Sequence, residues 1–153
     1  MSTPEQRLIE LGLQLPDAAA PLAAYIPAVR SGSLVFTSGQ LPWRDGELVA
    51  TGKVGAEVDP EAAKEAARYC ASNALAAVRT VTGDLSSVTR VVKVVGFVAS
   101  APSFTGQPAV INGASELIGE VFGDRGAHAR SAVGVAALPL DTPVEVEIVV
   151  EVA

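Results

Sequence analysis

The chain has 153 residues, 49% hydrophobic and 18% charged, enough apolar sequence for one core of normal size and fewer charges than the roughly 25% of an average globular protein. A net charge of −6 with no Lys or Arg block argues against a nucleic-acid backbone as the main partner. The single Cys70 excludes an internal disulfide, Met1 to Glu10 mixes acid and base without an apolar stretch, and no apolar run is long enough to span a bilayer, so a cytoplasmic protein with no membrane association is expected.

In chain order, Thr3 as N-cap, Pro4 at the first helical position and Gly12 as a stop predict a short helix. The prolines of Leu15 to Pro21 predict an extended connector behind it. Tyr25 to Arg30 and Ser33 to Thr37 are β-prone runs separated by Ser31-Gly32, a hairpin pattern, and Trp43-Arg44-Asp45-Gly46 carries a second turn signal. Asp59-Pro60 supplies a cap and a first-turn proline, after which Ala63, Ala67, Cys70, Ala74, Ala77 and Val81 recur at helical spacing up to Gly83. The valine-rich run Val88 to Val98 reads as a strand buried on both faces. Ile111, Ala114, Ile118 and Val121 mark another helix, and strands follow around Arg130 and from Val144 to Val152. In the last strand Val144, Val146, Ile148, Val150 and Val152 share one face, while Glu145, Glu147 and Glu151 share the other. The order of elements predicts an α+β domain spanning residues 1–153, with two helices covering one sheet face and the other face left for self-association.

Arg130 is the residue that points most directly to chemistry. It stands among small uncharged neighbours in His128-Ala129-Arg130-Ser131-Ala132-Val133-Gly134, and its planar fork suits a carboxylate. That carboxylate is either a ligand's or one of the protein's own. By alternation Arg130 shares a face with Ala132 and Gly134, whose small side chains leave space either for a ligand or for a closely packed helix.

Three separated blocks, Leu34-Val35-Phe36-Thr37-Ser38-Gly39-Gln40-Leu41-Pro42, the Arg130 segment and Val144-Glu145-Val146-Glu147, resemble the RidA family, also called YjgF, from about Tyr25 to Val152. The resemblance implies a chorismate mutase-like fold with a mixed sheet, a homotrimer around a central barrel, and clefts between subunits. It also implies hydrolysis of reactive 2-imino or enamine acids to 2-oxo acids and ammonia, with no cofactor and no metal. Arg130 would then grip the substrate carboxylate and Glu145 would hold the attacking water, with Tyr25, Ser38, Gly39, Asn112 and Ala132 shaping the cleft. Residues 1–21 lie outside the resemblance as an N-terminal extension. His128 and Ser115 depart from the family pattern, which has proline and an aromatic residue there, and Ala132 stands where cysteine is frequent. Two other readings stay open: a ligand-binding or regulatory trimer without turnover, and RNA cleavage, against which the acidic charge and 5% aromatic content argue.

Overall fold

The computed structural model describes residues 2–17 and 24–153, so residues 18–21 of the predicted connector lie outside the described residues. Helix α1 (Pro4–Glu10) starts as the sequence predicts, with Thr3 and Gln6 exchanging capping bonds. Strands β1 (Ala28–Ser31) and β2 (Leu34–Thr37) form the first hairpin, turning at Gly32 with φ 61°. The first strand begins three residues later than the predicted Tyr25, because Pro27 has no N–H to give a ladder. A two-stranded ribbon, β3 (Trp43–Arg44) and β4 (Glu47–Leu48), closes through Asp45 and Gly46, both at positive φ.

Helix α2 (Pro60–Thr82) runs from the Asp59 cap to Gly83 at φ 80°, as its sequence signals require. Then come β5 (Val88–Ala99), α3 (Gln107–Phe122), β6 (Ala129–Val135) and β7 (Val144–Val152). The main sheet has the order β1-β2-β7-β5-β6; β6 lies parallel to β5 and every other pairing is antiparallel. Helix α3 makes the crossover between the two parallel strands, which leaves β6 as an edge.

Both long helices lie on one face. Ala63, Ala67, Cys70, Ala74 and Ala77 of α2 are fully buried on the side of β7 that carries Val144, Val146, Ile148 and Val150, while Ile111, Ala114, Ile118 and Val121 of α3 are fully buried where that helix lies over β5 and β6. The helices cross closely because Gly113 has no side chain: a Cβ there would stand 2.0 Å from the Lys64 carbonyl oxygen. Leu8 and Leu13 join the same core, and Arg7 donates to the Val121 carbonyl at the end of α3, so the N-terminal helix is packed onto the domain.

Among the described residues nothing covers the opposite face, as expected for two helices on one side of the sheet, so β5 is buried on one face only within the single chain. Val91, Val94 and Val98 are fully buried, whereas Val95 and Phe97 are only half covered and Val92 is exposed at a register shift. Val29, Phe36 and Val133 on that side are 50%, 41% and 45% exposed. The valine run therefore needs a covering surface that the described residues of one copy do not provide.

Candidate functional site

Arg130 projects from edge strand β6 on the helix-covered side, since it pairs with Val94, whose side chain is buried there. Its Nη1 donates to Asn112 Oδ1 at 2.8 Å and more weakly to Ser115 Oγ at 3.3 Å. These acceptors lie three residues apart on one face of α3. Both are neutral, and among the described residues no carboxylate lies within ion-pair distance of the guanidinium. The internal salt bridge considered for Arg130 is thus not formed, and its full positive charge sits half-buried at the sheet edge.

Next along the strand, Ala132 is half-buried against the core and pairs with Gly96. Above Gly134 there is no open space. A Cβ on it would meet Gln107 Nε2 at 2.7 Å and Ser100 Oγ at 3.1 Å, so helix packing accounts for that small residue.

Glu145 lies in a second cluster. It is half-buried on the uncovered face of β7, opposite Phe97, and Gly39 is pressed against it: a Cβ there would stand 2.8 Å from Glu145 Cδ. Burial pushes the Glu145 carboxyl above its ordinary pKa, and the neighbouring Glu147 charge pushes it further the same way. Ser38 Oγ donates to the Ile26 carbonyl at 2.7 Å and its N–H to the Pro27 carbonyl at 2.8 Å. Its hydroxyl proton is therefore engaged in tying the exposed Tyr25 segment beside Gly39 and Glu145, and only its lone pairs remain for a ligand.

The structure groups the sequence candidates into two sets, Tyr25, Ser38, Gly39 and Glu145 in one and Asn112, Arg130 and Ala132 in the other, without joining them. Glu145 pairs with Phe97, which pairs with Val133, three residues from Arg130. Two strand spacings and three residue rises put the two backbones about 14 Å apart. Their side chains also leave opposite faces of the sheet. One chain cannot bring both to the same small molecule.

Sequence reasoning noted His128 and Ser115 as departures but did not place them together. His128 Nε2 is 2.9 Å from Ser115 Oγ, and its Nδ1 is 2.6 Å from the Gly126 carbonyl. They are 13 residues apart, and the only signal available was that both are polar positions flanking the Arg130 and Asn112 blocks. Cys70 is wholly buried, and burial, with a smaller contribution from Glu145, raises its thiol pKa far enough to leave it inert. A cavity of about 470 Å³ between the N-terminal segment, the β3–β4 ribbon and α2 is lined by Leu13, Trp43, Tyr69 and Asn73 and touches neither cluster.

The family described as "YjgF/chorismate mutase-like, putative endoribonuclease" matches residues 5–152. The chain belongs to this YjgF/RidA family. The match includes α1, in keeping with the burial of Leu8 in the common core. Protein TCP17 of Trypanosoma cruzi is 48% identical over 145 residues, covering 94% of this chain and 91% of that protein. The crystal structure of Atu1372 from Agrobacterium tumefaciens, a protein of unknown function, superimposes with a TM-score of 0.92 at 50% identity, covering 98% of this chain and 92% of that one. Escherichia coli TdcF with bound serine superimposes with a TM-score of 0.63 at 30% identity, covering 90% of this chain and 94% of that one. The α+β architecture, with a mixed sheet and two helices on one face, is that of the YjgF/RidA fold. Among the described residues no helix is long and apolar enough to cross a membrane.

Proposed function

We propose that this YjgF/RidA protein hydrolyses reactive 2-imino acids and their enamine tautomers to 2-oxo acids and ammonia, in clefts formed between copies of the chain in a homotrimer. The observation that carries the reading is Arg130: a half-buried guanidinium held by neutral acceptors, without an internal carboxylate among the described residues. An anion from outside the chain is its natural complement. The TdcF structure contains serine, a small molecule bearing a carboxylate, which is consistent with that assignment.

Two features of the single chain support this assembly. Its uncovered sheet face exposes Val29, Phe36 and Val133, and its two residue clusters lie on opposite faces. Apposition of a second copy covers the first and completes the second, bringing Glu145 of one subunit toward Arg130 of another.

In that cleft Arg130 binds the substrate carboxylate and Glu145 orients a water against the imine carbon. As the water oxygen adds to the protonated imine carbon, Glu145 accepts one water proton, giving a tetrahedral amino alcohol. The same carboxyl returns that proton to nitrogen, and as the C–N bond breaks the hydroxyl proton passes to the Glu145 carboxylate, so that ammonia leaves and the neutral carbonyl of the 2-oxo acid forms. A carboxyl pKa raised by burial suits these transfers, since the base is stronger and its conjugate acid is not excessively acidic. The substrate is already electrophilic, so orientation and one base suffice, and no cofactor or metal is invoked.

The test uses a purified amino-acid oxidase or pyridoxal enzyme to generate several imines while 2-oxo acid release is followed. Faster release from at least one imine is expected. Glu145→Gln should lose hydrolysis by roughly 10²- to 10⁴-fold while still binding a 2-oxo acid, and Glu147→Gln and Glu151→Gln should remain active. Equal activity in all three variants removes Glu145 from the mechanism. Product binding without acceleration of any imine would instead support a regulatory binding trimer. RNA cleavage, which the family description names, is disfavoured by the net charge of −6 and by Glu145, Glu147 and Glu151 on the open face.

A further inference from the structure

Both hydrogens of Arg130 Nη1 are engaged, one by Asn112 Oδ1 and the other by Ser115 Oγ. The guanidinium plane is thereby fixed, and among the described residues nothing takes the Nε–H or the two hydrogens of Nη2, which are left for a ligand. An end-on carboxylate would need an Nη1 hydrogen as well as one from Nη2. A side-on carboxylate needs only the Nε and Nη2 edge, which remains available.

The bond that Ser115 Oγ accepts from Arg130 depends in turn on His128. The Gly126 carbonyl can only accept, which assigns a hydrogen to His128 Nδ1 across 2.6 Å. In the neutral ring Nε2 is then an acceptor, 2.9 Å from Ser115 Oγ, so the single Ser115 hydroxyl proton points at the imidazole. Its lone pairs are left to face Arg130. Without the ring, the hydroxyl could rotate and present its proton to the cation instead. Gly126 is itself seated on α3, since a Cβ there would be 2.7 Å from the Ile118 carbonyl oxygen, so the far end of the chain of bonds is anchored.

We propose that Ser115 and His128 are positioning residues that, with Asn112, lock the Arg130 guanidinium so that it receives a substrate carboxylate side-on. This rests on the reading of Arg130 as a carboxylate anchor. Neither residue needs to touch the reacting carbon. Their effect is on how well the fork is prepared before the ligand arrives.

Calorimetric titration with 2-oxobutanoate separates this proposal from the reading beneath it. Ser115→Ala and His128→Ala should each bind about five- to thirtyfold more weakly than the parent, and Arg130→Ala more weakly still. His128→Gln should regain most of the loss, because its amide oxygen can accept the Ser115 proton. In steady-state hydrolysis the loss should fall on KM rather than kcat, whereas general loosening of the fold would lower kcat and thermal stability together. Ser115→Ala removes only one half-exposed oxygen, so its fold should persist. Wild-type affinity in both alanine variants, with Arg130→Ala defective, overturns the positioning role and leaves the anchor standing. Failure of His128→Gln to recover affinity overturns the directed chain in favour of simple packing. If Arg130→Ala itself binds like the parent, the anchor falls and the positioning role falls with it.

Discussion

Replacing Gly39 by alanine should separate catalysis from stability in a way that no substitution of a charged residue can. The new Cβ would stand 2.8 Å from Glu145 Cδ, 3.0 Å from Oε2 and 3.1 Å from Cγ. Carbon atoms in contact prefer about 3.5 to 4.0 Å, so the carboxylate must withdraw by roughly 1 Å. A displacement of that size at a catalytic group can reduce rate by about 10²-fold. The stability change should be small. Pushing Glu145 off its rotamer costs about 0.5 to 1.5 kcal/mol, while Gly→Ala returns about 0.4 to 1 kcal/mol by restricting the unfolded chain. The second effect is available because Gly39 is not among the glycines at positive φ. Urea unfolding should thus place the variant within about 1 kcal/mol of the parent, while imine hydrolysis at saturating substrate falls about a hundredfold. Added to Glu145→Gln, the substitution should cost little more, since the group it displaces is already disabled. A folded Gly39→Ala protein with the parental rate would refute the reasoning, because Glu145 could not then require its observed position.

In the proposed mechanism hydrolysis needs ionised Glu145, so activity should decline as pH falls through a carboxyl pKa raised above the ordinary value, and Glu147→Gln should move that decline to lower pH by removing one of the two causes. The same shift affects folding in the opposite sense. With the folded pKa above the unfolded one, the stability contribution is fully present below the unfolded value and lost as pH rises through the folded value, a slope that Glu145→Gln should flatten in urea titrations at several pH values. Gly113→Ala should destabilise by about 3 kcal/mol in urea unfolding, because its Cβ would meet backbone rather than a side chain that can move. Gly119→Ala on the same helix meets nothing within 4 Å and should instead gain about 0.5 to 1 kcal/mol. Light scattering at micromolar concentration should give three times the chain mass; a monomer would sink the shared cleft.

Local signals settled much of the fold. Asp59, Pro60 and Gly83 marked the ends of α2 because capping and φ preferences act within a few residues, and alternation in Val144 to Val152 sorted valine from glutamate because a strand's side chains must alternate. The family blocks marked Arg130 and Glu145 as a pair of interest. What sequence could not decide is where those two side chains go. Strand order and register put them on opposite faces about 14 Å apart, a result that depends on β7 lying between β2 and β5. Likewise the space above Gly134 was legible only as small, and the packing of Gln107 decided that helix rather than ligand fills it. His128 and Ser115 looked like two unrelated departures until the turn at Gly123–Gly126 carried β6 back beside α3 and put them 2.9 Å apart. Contacts between residues distant in sequence are set by how elements pack, and a pattern read along the chain carries no term for them.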